Sequence, residues 1–572
     1  MDHSKLPSIA VQASDLDVQF QHALAWHQQG QWQQAEIAYQ AVLEIVPEHF
    51  DTLRLLGILH IQRGEPGPAI ERLQQALGID ATQANLYLNI GSAQHALQQT
   101  EAALVNYAHA LQLQPDYAEA YYNQGVALQS LNQLEQAIAS YRQALHFNPD
   151  FIEAYCNCGA TLHRLKRLDE ALACYQHALQ RQPEHLQALY NLGLVLYDLN
   201  RPSEALAYYD RALQLKPDFA EALCNYGVAL QALNRLDEAL ACYARATQLQ
   251  TELNTGLAQT QWNAGLCHLL RGEFELGWQQ YEWGRACGQR GPQRQFEQPL
   301  WLGDQALQGK IILLHAEQGL GDTLQFCRYA TLVAALGATV WLEVQPSLQT
   351  LLAQLPGVAR VLGPGDALPH FDYHCPLLSL PLALRTRLDT IPAQAAYLHA
   401  DPAKSAHWST RLASQRRPVI GIAWSGNATH KHDQLRSIPL AKLAPLLTHD
   451  ARFVSVQTDL RDSDRETLQH FKVLDVTPDL HDFSDTAALL SCLDQVVTVD
   501  TSVAHLAGAL GKPTMLLLPY AADFRWMLDR DDSPWYPSLR LIRQSASGNW
   551  DDVIAQVVGS LNKTAIACTI EP

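Results

Sequence analysis

Residues 123–149 read Asn123-Gln-Gly125-Val-Ala-Leu-Gln-Ser-Leu-Asn-Gln-Leu-Glu-Gln-Ala137-Ile-Ala-Ser-Tyr141-Arg-Gln-Ala144-Leu-His-Phe-Asn-Pro149. The small, aromatic and proline residues of this stretch return every 34 residues through the N-terminal half of the chain. The glycine position holds Gly57, Gly91, Gly125, Gly159, Gly193 and Gly227. Small residues let two helices approach closely, the aromatic residue fills the space beside them, and proline cannot continue a helix. The period therefore predicts one pair of antiparallel helices per repeat.

The period and its residue types resemble the tetratricopeptide repeat (TPR), and this resemblance covers roughly residues 17–250. A looser eighth unit follows, because Gly265 comes 38 residues after Gly227 instead of 34. The aromatic residues of this unit are Trp262, Trp278, Tyr281 and Trp283. They predict a cap that packs against the next part of the chain. We therefore predict a TPR α-solenoid over residues 17–290, of about seven repeats and a divergent eighth.

A helical solenoid presents a concave surface that commonly binds an extended peptide or a partner protein. We expect such a protein partner here, and self-association into a homo-oligomer through the repeats is a compatible alternative. Asparagines recur two positions before the repeat glycines, at Asn89, Asn123, Asn157, Asn191 and Asn225. This ladder could hydrogen-bond a peptide backbone. It could equally satisfy neighbouring helices inside the array, and the sequence leaves both interpretations open.

The charge balance excludes several classes of partner. The 572 residues include 40 Lys plus Arg and 58 Asp plus Glu, for a formal net charge of −18. Because nucleic-acid binders use a basic surface to neutralise phosphates, we expect no nucleic-acid partner. No apolar run approaches the roughly 18 residues of a membrane span, and the N-terminus lacks a secretory signal pattern. The 11 cysteines form no paired framework, so a reducing, cytoplasmic location is expected.

After Gly291 the repeat step stops and short apolar runs begin to alternate with helical segments. Runs at 310–316, 339–344 and 360–362 predict strands of a first domain over 308–400. Runs at 418–424, 453–457, 495–500 and 513–518 predict strands of a second domain over 418–562, with residues 401–417 as a linker. This alternation indicates βαβ units on parallel sheets, which makes the fold class α-solenoid plus two Rossmann-like α/β domains. Two such domains facing one another would bind ligands at the carboxyl ends of their strands.

The loop after the first strand reads Gly319-Leu-Gly321-Asp322-Thr323 and leads into a predicted helix through about Leu336. Its glycines let the backbone approach a ligand closely, so we assign Gly319, Gly321 and Thr323 to an acceptor loop. Asp322 is either a helix N-cap or a general base for an acceptor hydroxyl. Because a helix N-terminus lowers the pKa of a carboxylate, we expect Asp322 to be a weak base.

Two loops of the second domain carry candidate donor-binding residues. The loop 425–437 contains Lys431 and Arg436, a basic pair that suits a phosphorylated ligand but could also be a solvated charged surface. The strand ending at Asp500 leads directly into a helix that starts with Thr501 and Ser502. Hydroxyl residues and free N–H groups at a helix start form a site for a diphosphate.

The last candidate of this segment is His505, one turn into the same helix. It either faces the cleft or packs in the core. The carboxylate of Asp500 would repel a phosphate, so we expect Asp500 to bind hydroxyls of the sugar instead.

The strand–Gly-Leu-Gly-Asp–helix opening, the loop Trp424-Ser-Gly-Asn with its following His and Arg436-Ser, and the segment Val499–Pro513 resemble the family 9 glycosyltransferases. These are relatives of the ADP-heptose:lipopolysaccharide heptosyltransferases, and the resemblance covers about residues 308–560. More narrowly, the chain resembles bacterial TPR proteins with such a domain at the C-terminus. The resemblance implies a GT-B fold and metal-independent, inverting transfer from a nucleotide-diphosphate sugar, with no further cofactor. It places the base on Asp322, the donor lysine on Lys431, and the second-domain motif on Asp500, Thr501, Ser502 and His505.

Ser502 stands where the family has glycine, and the aromatic segments 523–526 and 533–537 depart from the family pattern. The transferred sugar therefore stays open between a hexose and a heptose. The predicted function is glycosyl transfer from a nucleotide sugar to an acceptor hydroxyl, with the TPRs recruiting a protein acceptor or partner. The competing hypothesis is a non-catalytic TPR scaffold that carries a degenerate transferase domain.

Overall fold

The computed structural model describes residues 7–253, 256–291, 294–415, 418–427 and 433–570. The chain divides into two compact units, Met1–Asp218 and Phe219–Pro572. Neither unit contains, within the described residues, a helix that is long and apolar enough to cross a membrane.

The first unit is a run of paired helices, as the 34-residue step predicts. In the described part of the chain these are α1 (Pro7–Gln28), α2 (Trp32–Ile45), α3 (Phe50–Gln62), α4 (Pro66–Ile79), α5 (Ala84–Ala96), α6 (Thr100–Leu113), α7 (Ala118–Ser130), α8 (Leu134–Phe147), α9 (Ile152–Arg164), α10 (Leu168–Arg181), α11 (Leu186–Asp198) and α12 (Pro202–Leu215). The turn between paired helices holds one residue with a positive φ, such as 58° at both Asn132 and Asn200. This left-handed turn reverses the chain inside each repeat.

The repeated glycine and tyrosine contact each other directly. A Cβ added at Gly125 would lie 2.6 Å from Cε1 of Tyr141, and the Tyr141 side chain is fully buried. The tyrosine ring of the second helix thus occupies the space that glycine leaves on the first. Because both residues belong to one repeat, the pattern is visible as a local period in the sequence.

The second unit begins with α13 (Ala220–Ala232), α14 (Leu236–Leu253), α15 (Leu257–Leu270), α16 (Phe274–Tyr281) and α17 (Trp283–Ala286). Helix α14 has 18 residues where the equivalent α12 has 14, so the four inserted residues lengthen this helix. The predicted aromatic cap is confirmed for Trp278, whose ring centroid lies 6.2 Å from that of Phe326 in the α/β region. Trp283 of the same unit is 40% exposed.

The first sheet is parallel, with strand order β3-β2-β1-β4. Its elements are β1 (Ile311–His315), α18 (Leu320–Phe326), α19 (Tyr329–Ala335), β2 (Thr339–Glu343), α20 (Pro346–Leu352), β3 (Val358–Leu362), β4 (Tyr373–Pro376), α21 (Leu380–Ala383) and α22 (Pro402–Leu412). The helix that the sequence predicts through Leu336 is in fact two short helices, α18 and α19. Strand β4 was not predicted because it lies in a proline-rich stretch. It tolerates Pro376 because that residue ends an edge strand, where a missing N–H costs little.

The second sheet is also parallel, with strand order β10-β9-β8-β5-β6-β7. Its elements are β5 (Val419–Ala423), α23 (Asp433–Arg436), α24 (Ala444–Leu447), β6 (Arg452–Ser455), α25 (Asp462–His470), β7 (Leu474–Asp475), α26 (Phe483–Cys492), β8 (Gln495–Val499), α27 (Ser502–Ala509), β9 (Thr514–Leu518), β10 (Leu539–Arg543) and α28 (Asp551–Ile570). Its core includes Ile422, Val497 and Leu517 of the central strands. Residues 401–417, which the sequence predicts as a linker, contain α22, whose Trp408 is buried.

The architecture is therefore the predicted one, a helical TPR solenoid followed by an α/β region with two parallel sheets. This arrangement is consistent with a GT-B type domain. The candidate segments 319–323 and 499–505 lie at the carboxyl ends of central strands, because α18 follows β1 and α27 follows β8. These ends are where open parallel sheets bind ligands.

Candidate functional site

The candidate acceptor loop (residues 319–323) and the candidate donor segment (residues 499–505) are in direct contact. A Cβ added at Gly321, in the first turn of α18, would lie 2.8 Å from Cδ2 of His505 in α27. A side chain at position 321 would therefore collide with the His505 ring unless one of the two moves. The loops that follow β1 and β8 therefore form one site, to which both sheets contribute.

Asp322 is not the N-cap of α18, which is Gly319, but the third residue of that helix, and its carboxylate bonds both Gly319 and Arg525. Its Oδ2 accepts a 2.9 Å hydrogen bond from the N–H of Gly319, and its Oδ1 accepts one from Arg525. Burial raises the pKa of the Asp322 carboxyl above its ordinary value, and Arg525 opposes this shift. The expectation of a lowered pKa is therefore wrong, since desolvation outweighs the helix terminus and the cation. A carboxylate with a raised pKa is the stronger base.

Arg525 is a site residue that the sequence reasoning missed. Besides Asp322, it donates to Oε1 of Gln325 at 2.6 Å and to Oδ1 of Asp523 at 2.8 Å. The residue is 7% exposed, and its guanidinium lies 4.5 Å from the ring centroid of Phe524. The one feature of the sequence that could have pointed to Arg525 is its position inside the aromatic segment 523–526, which departs from the family pattern. A buried cation shared by two carboxylates joins the two halves of the site.

Asp500 lies at the end of β8 and is held on three sides. The indole Nε1 of Trp526 donates to its Oδ2 at 2.9 Å, and Arg436 Nη1 donates to its carbonyl oxygen at 2.9 Å. Its Oδ1 lies 3.9 Å from Nε2 of His505. Burial, together with the neighbouring charge of Asp523, raises the pKa of Asp500 to about 6. The Asp500 carboxyl is therefore harder to ionise than an exposed aspartate.

His505 both packs in the core and borders the site. It is 6% exposed, its ring stacks on Trp526 at a centroid distance of 5.4 Å, and its Nδ1 lies 2.9 Å from the hydroxyl of Tyr536. Burial lowers the pKa of His505 well below its ordinary value. The imidazole is therefore neutral at pH 7, with one ring nitrogen as a hydrogen-bond donor and the other as an acceptor.

The remaining candidates divide between the site and the interior. Thr501 is the N-cap of α27 but its side chain makes no capping hydrogen bond, and Ser502 is partly buried in the first turn. Thr323 is 1% exposed and donates to Oε1 of Gln345 at 3.0 Å, so its hydroxyl is engaged within the first sheet's domain. Lys431 lies outside the described residues. Within those residues no group of three or more His, Cys, Asp or Glu side chains is arranged to hold a metal ion.

The asparagine ladder of the first unit makes contacts between neighbouring repeats. Nδ2 of Asn123 donates to Oγ of Ser92 at 3.2 Å, and Nδ2 of Asn157 donates to the hydroxyl of Tyr122 at 3.0 Å. These two amide donors favour the interpretation that the ladder satisfies neighbouring helices.

Comparison with protein families agrees with both resemblances. Tetratricopeptide repeat models match residues 20–85, 95–132, 128–166, 150–218 and 196–259. The model described as glycosyltransferase family 9 (heptosyltransferase) matches residues 458–544. This match includes the Asp500–His505 segment and Arg525. The chain thus carries TPRs and a family 9 glycosyltransferase segment.

Individual relatives match parts of the chain. Protein FlbA of Caulobacter vibrioides is 28% identical over 337 residues, which cover 54% of this chain and 56% of FlbA. The chain thus spans little more than half the length of that curated relative. Among solved structures, MamA is 30% identical, covers 28% of this chain and 95% of its own, and superposes with a TM-score of 0.27. YrrB, described as a TPR protein with an unusual peptide-binding site, is 23% identical, covers 32% of this chain and 93% of its own, and has a TM-score of 0.30.

Proposed function

We propose that this chain, with its TPRs and its family 9 glycosyltransferase segment, transfers a hexose or heptose from a nucleotide-diphosphate sugar to an acceptor hydroxyl in the cytoplasm. The contact between Gly321 and His505 carries this proposal. It brings the candidate base and the candidate donor segment to one place, at the carboxyl ends of two parallel sheets. The family 9 match over the donor segment supports the same reaction class.

On the donor side, the N–H groups at the start of α27 and the guanidinium of Arg436 bind the diphosphate. Arg436 is suited to this role because its contact with the carbonyl oxygen of Asp500 holds it beside the helix start. Asp500 accepts hydrogen bonds from hydroxyls of the sugar or ribose. The proposal extends to Lys431 by resemblance alone.

On the acceptor side, Asp322 removes the proton from the attacking hydroxyl as that oxygen displaces the nucleotide diphosphate at the anomeric carbon. Displacement from the opposite face inverts the configuration. The departing diphosphate carries negative charge, which the helix start and the basic side chains stabilise, so the proposed reaction needs neither a metal ion nor a cofactor. The raised pKa of Asp322 favours its action as a base.

The solenoid of the first unit recruits a protein acceptor or partner in this proposal. Paired helices stacked at a 34-residue step form an extended surface of the type that binds peptides and proteins. Association of two copies through the repeats remains part of the proposal, and light scattering of the purified protein measures it directly.

The proposal is tested by thermal denaturation with ADP, GDP, CDP, UDP and their sugar conjugates. A ligand that binds only the folded state at about 100 times its Kd stabilises by roughly 2.7 kcal/mol. We expect one nucleotide series to raise the melting temperature, and mass spectrometry of cellular glycoproteins with and without the gene to identify the acceptor. No stabilisation by any nucleotide would instead favour the non-catalytic scaffold.

A further inference from the structure

The segment 520–527, which follows β9, touches both halves of the candidate site. Its Arg525 donates to Asp322 of the acceptor loop, and its Trp526 donates to Asp500 of the donor segment. A displacement of this segment would therefore disturb the candidate base and the candidate donor site together.

The last helices of the solenoid hold this segment in place. Nδ2 of Asn234, in the turn between α13 and α14, donates to the carbonyl oxygen of Tyr520 at 3.0 Å. The ring centroid of Phe524 lies 5.8 Å from that of Trp278 and 5.7 Å from that of Tyr281 in α16. One directed hydrogen bond and one buried aromatic cluster thus join the segment to the solenoid helices. Within its own domain, Gln544 accepts from the N–H of Tyr520 and Arg543 donates to the carbonyl oxygen of Trp526.

The end of the segment is strained and is also packed against the solenoid. Met527 has φ 56° and ψ −168°, a conformation that residues other than glycine rarely adopt. A Cβ added at Gly272, in the turn before α16, would lie 2.6 Å from Cε of Met527. Such backbone conformations persist only where the surrounding structure enforces them. The close contact with the turn at Gly272 helps to hold Met527 in this conformation.

We propose that helices α13 to α16 contribute to the transferase site. They hold segment 520–527 in the position from which Arg525 orients the carboxylate of Asp322. Arg525 acts as a positioning residue, because it contacts the candidate base and not the reacting atoms. Asn234 and Trp278 act one step further away, by holding the backbone that carries Arg525. The inference rests on the proposed role of Asp322 as the base, although the contacts themselves do not depend on it.

The proposal requires that loosening a solenoid turn changes the environment of Asp322. The variant Asn234→Gly removes the hydrogen bond to Tyr520 and keeps the left-handed turn, since Asn234 has φ 57°. Asn200 occupies the same turn position one repeat earlier, with φ 58°, so Asn200→Gly is a matched control. Full-length variants are compared by hydrogen exchange and by carbodiimide labelling of carboxyl groups, both read by mass spectrometry.

Carbodiimide reacts with protonated carboxyls, so loss of the cation partner that lowers the pKa of Asp322 increases its labelling. We expect Asn234→Gly to raise both the hydrogen exchange of 520–527 and the labelling of Asp322 several-fold, and Asn200→Gly to change neither. Asp366, whose carboxylate accepts an equivalent hydrogen bond from the N–H three residues earlier, at Gly363, is the internal reference for labelling. Equal behaviour of the two variants, or faster exchange without increased labelling of Asp322, would overturn the proposal.

Direct substitution of Arg525 separates positioning from general packing. Arg525→Met should raise Asp322 labelling, and Arg525→Lys should restore part of the wild-type protection because it keeps a positive charge. Unchanged labelling in a folded Arg525→Met protein would contradict the positioning role. If Arg525→Met does not fold, the lysine variant and the Asn234→Gly comparison still decide the question. None of these readouts uses a nucleotide, so a failure to bind donors would refute the proposed function separately.

Discussion

The indole Nε1 of Trp526 donates a 2.9 Å hydrogen bond to Oδ2 of Asp500, and the Trp526 side chain is fully buried. Replacement by phenylalanine keeps an aromatic ring against His505 but removes this bond to a carboxylate. We expect Trp526→Phe to lower the free energy of unfolding by about 1.5–3 kcal/mol at pH 7, as for other hydrogen bonds to charged groups. Urea unfolding measures this loss, and nucleotide affinity should fall as well.

The matched control for this change is Trp301→Phe. The Trp301 indole donates a 3.0 Å hydrogen bond to the carbonyl oxygen of Gln305, far along the chain from the candidate donor residues. Its loss should cost about 1 kcal/mol of stability and leave nucleotide binding unchanged. Equal effects of both variants on binding would contradict a special role for the Trp526–Asp500 pair.

The raised pKa of Asp500 predicts a pH-dependent gain in stability for Asp500→Asn. In the unfolded chain this carboxyl ionises at an ordinary pKa of about 4, whereas in the folded protein it ionises at a pKa of about 6. The folded state therefore binds more protons between these two values, and wild-type stability falls as pH rises from about 4 to about 6. Asparagine keeps an acceptor for Trp526 and does not ionise. The variant should therefore gain up to about 3 kcal/mol over wild type at pH 7.5, and much less at pH 4.5. A gain that is constant across this range would show that the Asp500 pKa is ordinary.

Asp322→Asn tests the base. Because general-base catalysis typically contributes about 10²–10⁴-fold, transfer should fall by this order while nucleotide-induced stabilisation persists. The control is Asp366→Asn, since Asp366 Oδ2 accepts a 2.7 Å bond from the Gly363 N–H in the same way that Asp322 accepts one from the Gly319 N–H. Asp366→Asn should leave transfer unchanged. Unchanged turnover in Asp322→Asn would remove this residue from the mechanism.

Arg436→Met tests the proposed diphosphate site. Methionine keeps much of the side-chain length but loses the charge and the contact with the Asp500 carbonyl. We expect the nucleotide-induced rise in melting temperature to disappear. Arg411→Met, which breaks an exposed ion pair with Asp479, should keep that rise. A persistent rise in Arg436→Met would place the diphosphate elsewhere.

Two glycine-to-alanine changes in the solenoid, one at a repeat glycine and one elsewhere, should have opposite effects on stability. A Cβ at Gly193 would lie 2.4 Å from Cε1 of Tyr209, so Gly193→Ala should destabilise the solenoid by about 1–3 kcal/mol. Gly78, in α4, has no atom within 4 Å of an added Cβ, and Gly78→Ala should stabilise by about 0.5–1 kcal/mol through helix propensity. Circular dichroism during urea unfolding distinguishes the two signs.

Most of the fold was predictable because its signals are local in the chain. In the repeats from Gly91 to Gly227 the tyrosine packs on the glycine of the same repeat, and Leu73 takes the place of the tyrosine against Gly57. One period therefore describes these helix pairs. The central strands β1, β5, β8 and β9 are short apolar runs of the kind that parallel sheets bury on both faces. Strand β7 has two residues and β10 includes the exposed Arg540, so neither presents such a run.

The candidate site was predictable only in part. Asp322, Asp500 and His505 follow strands in recognisable segments, and the structure brings these segments into contact. Arg525 lies 203 residues after Asp322 in the chain, and no spacing rule connects two positions so far apart. The predicted direction of the Asp322 pKa shift was wrong because the shift is dominated by burial. Burial depends on how distant parts of the chain pack, and not on the local helix start.

A 34-residue period and a few strand–loop–helix segments are thus enough to predict the solenoid and an α/β region with parallel sheets, and to motivate the proposed reaction class. Those features are encoded within single repeats or single βα units. The partners of Asp322 and Asp500, and the attachment of segment 520–527 to the solenoid, emerge only when distant parts of the chain pack together. Desolvation and long-range hydrogen bonds set the chemistry of those carboxylates, and both arise from the three-dimensional arrangement.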